Sequence, residues 1–260
     1  MKLSVVVCTY NDRRIENLIN SIDEECEIVV VCNGSDKEYI NFVKDLLADK
    51  KQYKLLYIPE KSLSKARNVG TENATYDKTV HIDTDCIFYK GALKNYDKAL
   101  DEHLVVDGKV EFLFNDKKSE IVSKMRSLGI PGSALCPSIG INKKIKDKIG
   151  GYFFDERLTW VEDAELNYRM KKNNIGFGVI EEVTCAHVPL SFKQDLHSAY
   201  NYGIGAKIRV YYKMRKKGVN FNSDVTKQMR KFGLKYWIYA LRWNLSYARG
   251  YYFHKVKKGG

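Results

Sequence analysis

Two short runs, Leu3-Ser4-Val5-Val6-Val7-Cys8 and Glu27-Ile28-Val29-Val30-Val31-Cys32, constrain the fold of this chain more than any other feature. β-Branched residues without polar alternation fit strands buried on both faces, as in a parallel sheet covered by helices. Between the runs, Ile15, Leu18, Ile19 and Ile22 recur at helical spacing, with Asn11 and Asp12 placed to cap that helix. Asn33-Gly34-Ser35-Asp36 signals a turn and a helix start, and Ile40, Val43, Leu46 and Leu47 share one side of a helix expected over 37–49. The alternation continues with a strand over 53–58, a helix over 64–73 and a strand over 78–82. An α/β fold follows, with a doubly wound, mainly parallel sheet. Right-handed crossovers bring the C-terminal ends of such strands to one edge, where these sheets keep their ligands.

Cys8-Thr9, Asn33-Gly34 and Asp83-Thr84-Asp85 all fall at those ends. If strand alternation persisted through the last of these, Asp83 and Asp85 would share a face and repel unless a proton or cation sat between them. Alone, such a D-x-D triplet is as readily a solvated turn. The chain contains no G-x-G-x-x-G after its first strand and no G-x-x-x-x-G-K-[ST], which counts against a dinucleotide oxidoreductase and a P-loop NTPase. A doubly wound site lacking both must manage phosphate differently, and carboxylate-held Mg²⁺ or Mn²⁺ is the obvious device.

A content of 44% hydrophobic and 12% aromatic residues over 260 positions fits a packed protein with one large domain, or one domain and an appendage. Six cysteines are scattered without a C-x-x-C pair, so free thiols in a reducing cytoplasm are expected. The N-terminal apolar run is too short for a secretion signal and meets Thr9-Tyr10-Asn11-Asp12 at once. No stretch approaches the roughly 20 apolar residues that span a bilayer. Charge is distributed unevenly. From Lys207 to Gly260 there are 15 Lys and Arg and one acid, Asp224, a net +14, while residues 1–206 carry 29 bases and 31 acids, a net −2. That break divides a catalytic domain, 1–205, from a basic extension, 206–260.

Residues 150–170, GGYFFDERLTWVEDAELNYRM, hold a second acidic pair, Glu162-Asp163, at a helix start with Leu166 and Met170 four apart. Acids in a first turn are stabilised by the amide dipoles, so the pair reads equally as a cap or as a poised base.

Taken in order, SVVVCTYN (4–11), VVVCNGSD (29–36), LSKARNVG (63–70), HIDTDC (81–86) and IGGYFFDERLTWVEDAELNYRM (149–170) resemble the family 2 glycosyltransferases of the GT-A fold. The likeness spans about residues 1–205 and implies a nucleotide-binding half, 1–100, and an acceptor half, 101–205. It further implies inverting transfer of a sugar from a nucleoside diphosphate, with a UDP-sugar favoured, to an acceptor hydroxyl in cell-surface glycan synthesis. Thr9 and Tyr10 would then hold the nucleotide. Asn33 stands where an acid commonly reads the base; its amide oxygen still accepts a base N–H. Arg67 and Asn68 would lie near the phosphates, Asp83 near the ribose or donor sugar, and Asp85 on a divalent metal, Mn²⁺ or Mg²⁺. Asp163 resembles the catalytic base, supported by Glu162. His187 matches a histidine that completes the metal site in some relatives, or is a hydrogen-bonded strand-end histidine. Trp160 could stack on an acceptor sugar or belong to the core. Processive relatives carry Q-x-x-R-W, whereas Tyr239-Ala240-Leu241-Arg242-Trp243 lacks the Gln, so single addition is expected.

From Val225 to Arg249 the chain reads as one helix with two apolar stripes. One, through Val225, Met229, Phe232, Tyr236, Tyr239, Trp243 and Tyr247, can pack on the catalytic domain. The other, through Leu234, Ile238, Leu241 and Leu245, needs a partner. Another protomer in a homo-oligomer, more of the same fold and an anionic membrane surface against 207–258 are the options, the last fitting a lipid-linked glycan acceptor and a cytoplasmic enzyme resting on the inner face of the membrane, while the bases interleaved with aromatics also fit single-stranded nucleic acid. Two other functions stay open at this point: a nucleotidyltransferase, and a non-catalytic module that grips nucleic acid or lipid.

Overall fold

The computed structural model describes residues 1–129, 133–215 and 223–256. The branched runs form strands β1 (Leu3–Thr9) and β2 (Glu27–Asn33), joined by α1 (Ile15–Ser21). Then come α2 (Lys37–Leu47), β3 (Tyr53–Ile58), α3 (Leu63–Asn73), β4 (Lys78–Ile82), β5 (Cys86–Phe88) and α4 (Ala92–Glu102). Strand β6 (Val105–Phe112), α5 (Lys117–Ser127), β7 (Ser138–Asn142), a 3-10 turn (Lys143–Ile149), α6 (Glu162–Lys172) and β8 (Gly178–His187) follow. Three helices close the described chain: α7 (Phe192–Tyr211), α8 (Ser223–Lys231) and α9 (Leu234–Phe253).

One eight-stranded sheet runs β3-β2-β1-β4-β7-β6-β8-β5. Strands β3, β2, β1 and β4 are mutually parallel, β6 and β8 are parallel, and β7 and β5 enter antiparallel. β1 and β2 are buried almost throughout because helices cover both faces, as their unalternating sequence demands. On one face α1, α2 and α4 bury Ile15, Leu18, Val43, Leu47 and Tyr96 against Val5, Val7, Val30 and Val80. A second core gathers β7 and α6 through Ile139, Ile141, Leu166 and Met170. A third joins α5 to α8 and α9 through Val122, Met229 and Tyr239.

Two sequence expectations are corrected. Asn11 and Asp12 do not cap α1, whose cap position is Arg14 with no side-chain bond. Asn11 instead binds Asp36 across the sheet edge, and the Asp12 carboxylate is occupied by Arg14 and Thr84. The single helix expected from Val225 to Arg249 is two, because Gly233 takes φ +121°, outside the helical range. All six cysteines are free thiols. Among the described residues no helix is long and apolar enough to cross a membrane.

Candidate active site

The ends of β1 and β2 are tied to each other. Thr9 is buried and bonds the Tyr39 hydroxyl through its own, while its carbonyl accepts from Asn33 Nδ2 at 2.9 Å and from the Ser35 hydroxyl at 3.3 Å. Tyr10, the next residue, is exposed, with the Lys61 ammonium 3.5 Å from its ring centre. A flat aromatic face beside a cation is therefore presented at the sheet edge.

Strand β4 ends at Ile82, so alternation does not carry through the two aspartates. Asp83-Thr84-Asp85 is a turn, closed by the Cys86 amide donating to the Asp83 carbonyl at 3.1 Å. The repulsion the sequence posed is relieved by separate cations. Asp83 accepts from Arg67 Nη2 at 2.9 Å, and Asp85 lies 3.3 Å from Arg14 Nη1. The middle residue is also held, since the Thr84 hydroxyl donates to Asp12 at 2.6 Å. Asp12 in turn takes Arg14 Nε and Nη2 at 2.9 and 2.7 Å, so the first strand's exit loop grips the whole turn.

His187 ends β8 beside β5 and points Nε2 at the same Asp85 oxygen, 3.4 Å away. Its Nδ1 faces the Val188 carbonyl at 2.7 Å. A carbonyl only accepts, so Nδ1 carries a proton, and Nε2 is the ring nitrogen turned toward Asp85. Among the described residues, Asp85, Cys86 and His187 form a cluster with ligand atoms within 4.8 Å of one another. The buried Cys86 thiol is pushed well up by its contact with Cys185 and by burial, which leaves the carboxylate and imidazole as the fitting donors for a hard divalent ion.

Arg67, on the buried side of α3, joins the two acidic motifs. Its Nη1 donates to Glu162 at 2.6 Å and to Cys136 Sγ at 2.6 Å, while Nη2 holds Asp83. Burial pushes the Glu162 carboxyl up, the Arg67 charge opposing it and the Asp163 charge adding to it. Burial also raises Asp163, against Arg67 and two backbone donors. Those donors aim it: Cys136 N–H binds Oδ2 at 3.1 Å and Ala164 N–H binds Oδ1 at 2.6 Å. The same short loop receives Asp83, whose N–H donates to the Pro137 carbonyl at 3.2 Å. One loop thus touches both the D-x-D turn and the Asp163 carboxylate.

Val161, at the cap of α6, has φ +60° and ψ +28°, a left-handed conformation that a β-branched residue adopts only under strain of about 1–3 kcal/mol. Helix α7 holds it there. Gly205 packs so closely that a Cβ would lie 2.6 Å from both the Trp160 carbonyl and Val161 Cγ2.

The structure thus gathers Asp83, Asp85, His187, Arg67, Glu162 and Asp163 around one turn and one loop, with Thr9, Tyr10 and Asn33 at the neighbouring strand ends. Asn68 stands apart. Its amide donates to the Phe154 carbonyl and Glu156 and accepts from Phe154 N–H, so it clamps the 154–156 segment to α3. Trp160 is half-buried, its ring edge-on to Tyr202 at 6.1 Å. Asp12, Arg14, Thr84 and the Cys136 amide escaped the sequence reading. Asp12 and Arg14 looked like the start of a helix, and a backbone amide leaves no sequence signal.

Comparison with known proteins is consistent with this geometry. The profile of glycosyl transferase family 2 matches residues 4–163. An uncharacterized glycosyltransferase of Rickettsia bellii (strain RML369-C) is 22% identical over 200 residues, 70% of this chain. The chain spans only 28% of that relative's length. TarS 1-349 of S. aureus, solved in complex with UDP-GlcNAc, superposes with a TM-score of 0.58 at 21% identity, covering 96% of this chain and 81% of that one. The mannosyltransferase PcManGT of Pyrobaculum calidifontis, in complex with GDP-Man and Mn²⁺, gives a TM-score of 0.71 at 12% identity, covering 98% and 88%. At such identities the two structures establish a shared fold.

Proposed function

The chain belongs to glycosyl transferase family 2, and from that premise we propose that it is an inverting glycosyltransferase moving a sugar from a nucleoside diphosphate, preferably UDP, to an acceptor hydroxyl in surface-glycan synthesis. The observation that carries this reading is the single buried Arg67 guanidinium paired with both Asp83 and Glu162. It sets the D-x-D turn and the Glu162-Asp163 helix start on two sides of one cation, and a donor and an acceptor need such an adjacency to meet.

Asp163 is the base. Its backbone donors fix the carboxylate's orientation, and its raised pKa suits a group that must take a proton from a hydroxyl near neutrality. The hydroxyl oxygen attacks from the face opposite the departing diphosphate, through a transition state with oxocarbenium character. Glu162 acts by holding Arg67. Asp83, steadied by Arg67, reaches the ribose or donor sugar, and Thr9, Tyr10 and Asn33 take the nucleoside. Asn33 Nδ2 is spent on the Thr9 carbonyl, which leaves Oδ1 to accept a base N–H. Asn68 positions the 154–156 segment, and Trp160 faces the acceptor. Asp85 and His187 Nε2 would hold Mn²⁺ or Mg²⁺, which supplies positive charge against the leaving diphosphate. Residues 1–205 carry the chemistry and 206–260 an appended function. Family membership speaks against the nucleotidyltransferase reading.

The decisive experiment is Asp163→Asn assayed against a panel of UDP- and GDP-sugars. Transfer should fall by about 10²–10⁴-fold, while calorimetry shows donor affinity within about twofold of the parent. Near-normal turnover would show that the base lies elsewhere.

A further inference from the structure

Helix α9 has two unlike sides. Tyr236, Tyr239, Ala240 and Tyr247 are buried, packed with α5, α7 and α8. Leu234, Ile238, Leu241, Leu245 and Tyr252 are exposed and recur at steps of four, three, four and seven, which aligns them along one side of the helix. Leu234 is 69% and Leu245 63% exposed, so these are aliphatic side chains standing in water. Four aliphatic residues and a tyrosine in one row exceed the scattered singles of an ordinary surface.

Beside that stripe lie Lys235, Arg242 and Arg249, all exposed and seven residues apart. Seven residues are nearly two full turns, so the three bases form a second row along one flank of the first. No acid occurs from Val225 to Gly260. This arrangement decides between occupants. A second copy laid antiparallel, stripe to stripe, would bring the two rows of bases to one edge, and a parallel copy would offer neither row a countercharge on the facing helix. Single-stranded nucleic acid needs aromatic faces for its bases, and the exposed row is chiefly aliphatic. An anionic bilayer meets both demands: leucines enter the acyl boundary while the basic stems reach back to the headgroups.

We propose that the outer face of α9 is a docking surface for an anionic membrane, with the helix lying in the interfacial plane. Residues 216–222 and 257–258 of the basic extension lie outside the described residues and are not needed for the surface. The proposal stands apart from the transfer chemistry, so its test reads binding alone. The full chain is sedimented with vesicles of about 40 mol% phosphatidylglycerol in phosphatidylcholine, and with phosphatidylcholine alone. The expected result is partition onto the anionic vesicles only. Leu241→Glu/Leu245→Glu and, separately, Lys235→Glu/Arg242→Glu should each lower partition at least about tenfold with unchanged circular dichroism and melting, since all four side chains are exposed. Equal binding of both vesicle types, binding of neither, or wild-type partition by both variants overturns the proposal. So does a stable dimer on light-scattering chromatography that Leu245→Glu dissolves, because it assigns the face to a second copy. Donor binding stays a separate measurement, and its loss or retention bears only on the catalytic reading.

Discussion

Strands β1 to β4 and helices α7 and α9 hold together by different means. In the sheet, valines and isoleucines interdigitate with helices on both faces, and each contact is one aliphatic side chain against several others. Between α7 and α9 the backbones themselves meet. A Cβ on Gly203 would lie 2.0 Å from the Tyr247 carbonyl, and one on Gly250 1.9 Å from the Tyr200 carbonyl. The sheet can exchange one aliphatic side chain for another of equal volume by repacking, because volume-conserving swaps in such cores are tolerated. At these two glycines the helix pair has no side chain to move. Similar burial can therefore conceal very different tolerance to change.

Four substitutions probe how these regions and their surroundings are held, and the largest effect is expected at Arg67, between the D-x-D turn and the acidic helix start. Arg67→Met leaves Glu162 buried beside Asp83 and Asp163 with no cation between them, which should cost about 3–5 kcal/mol. Urea unfolding reads it directly; a loss under 1 kcal/mol would mean that the pairing contributes little. Next, Gly250→Ala should destabilise by about 1–3 kcal/mol, while the volume-conserving Ile28→Leu in the sheet costs less than about 1.5. If the order of these two melts reverses, the distinction between side-chain and backbone packing is wrong. An effect smaller than that at Arg67 belongs to Asp107 on β6, whose carboxyl burial pushes up to about 6 while the Leu135 N–H donates to it. A raised carboxyl pKa means that the folded state binds the extra proton between about pH 4 and 6, so stability falls as pH rises through that window. Asp107→Asn keeps the acceptor for Leu135 and removes the charge. It should match the parent near pH 4 and exceed it by about 1–2 kcal/mol at pH 7.5 after allowance for solvent screening. Parallel melting curves with no pH-dependent gap would refute the assignment.

The same contrast explains what was legible beforehand. Strands at 53–58 and 78–82 were readable to the residue because their signal is local: branched or aromatic runs between turn formers. The acidic helix start at Glu162 was readable for a similar reason. The break at Gly233 was not, since a glycine in a long helical pattern is ordinarily tolerated. Nor was the tie between Arg67 and Glu162, which joins residues 95 positions apart. Asp12 shows the limit most clearly. Its sequence neighbourhood says helix cap, and only the fold reveals that it grips Thr84 from 72 residues away.

The glycine contacts of α7 bear on two neighbours at once. Gly203 locks it to α9, and one turn-fraction on, Gly205 presses against Trp160 and Val161, directly before the acidic pair. Neither contact leaves slack for sliding, and Ser246 and Lys207 add cross-bonds to the Leu196 and Tyr252 carbonyls. α7 and α9 are therefore packed backbone to backbone along this stretch. Through Gly203 and Gly205 one helix thus ties the outer helix to Val161, the left-handed residue that immediately precedes Glu162 and Asp163.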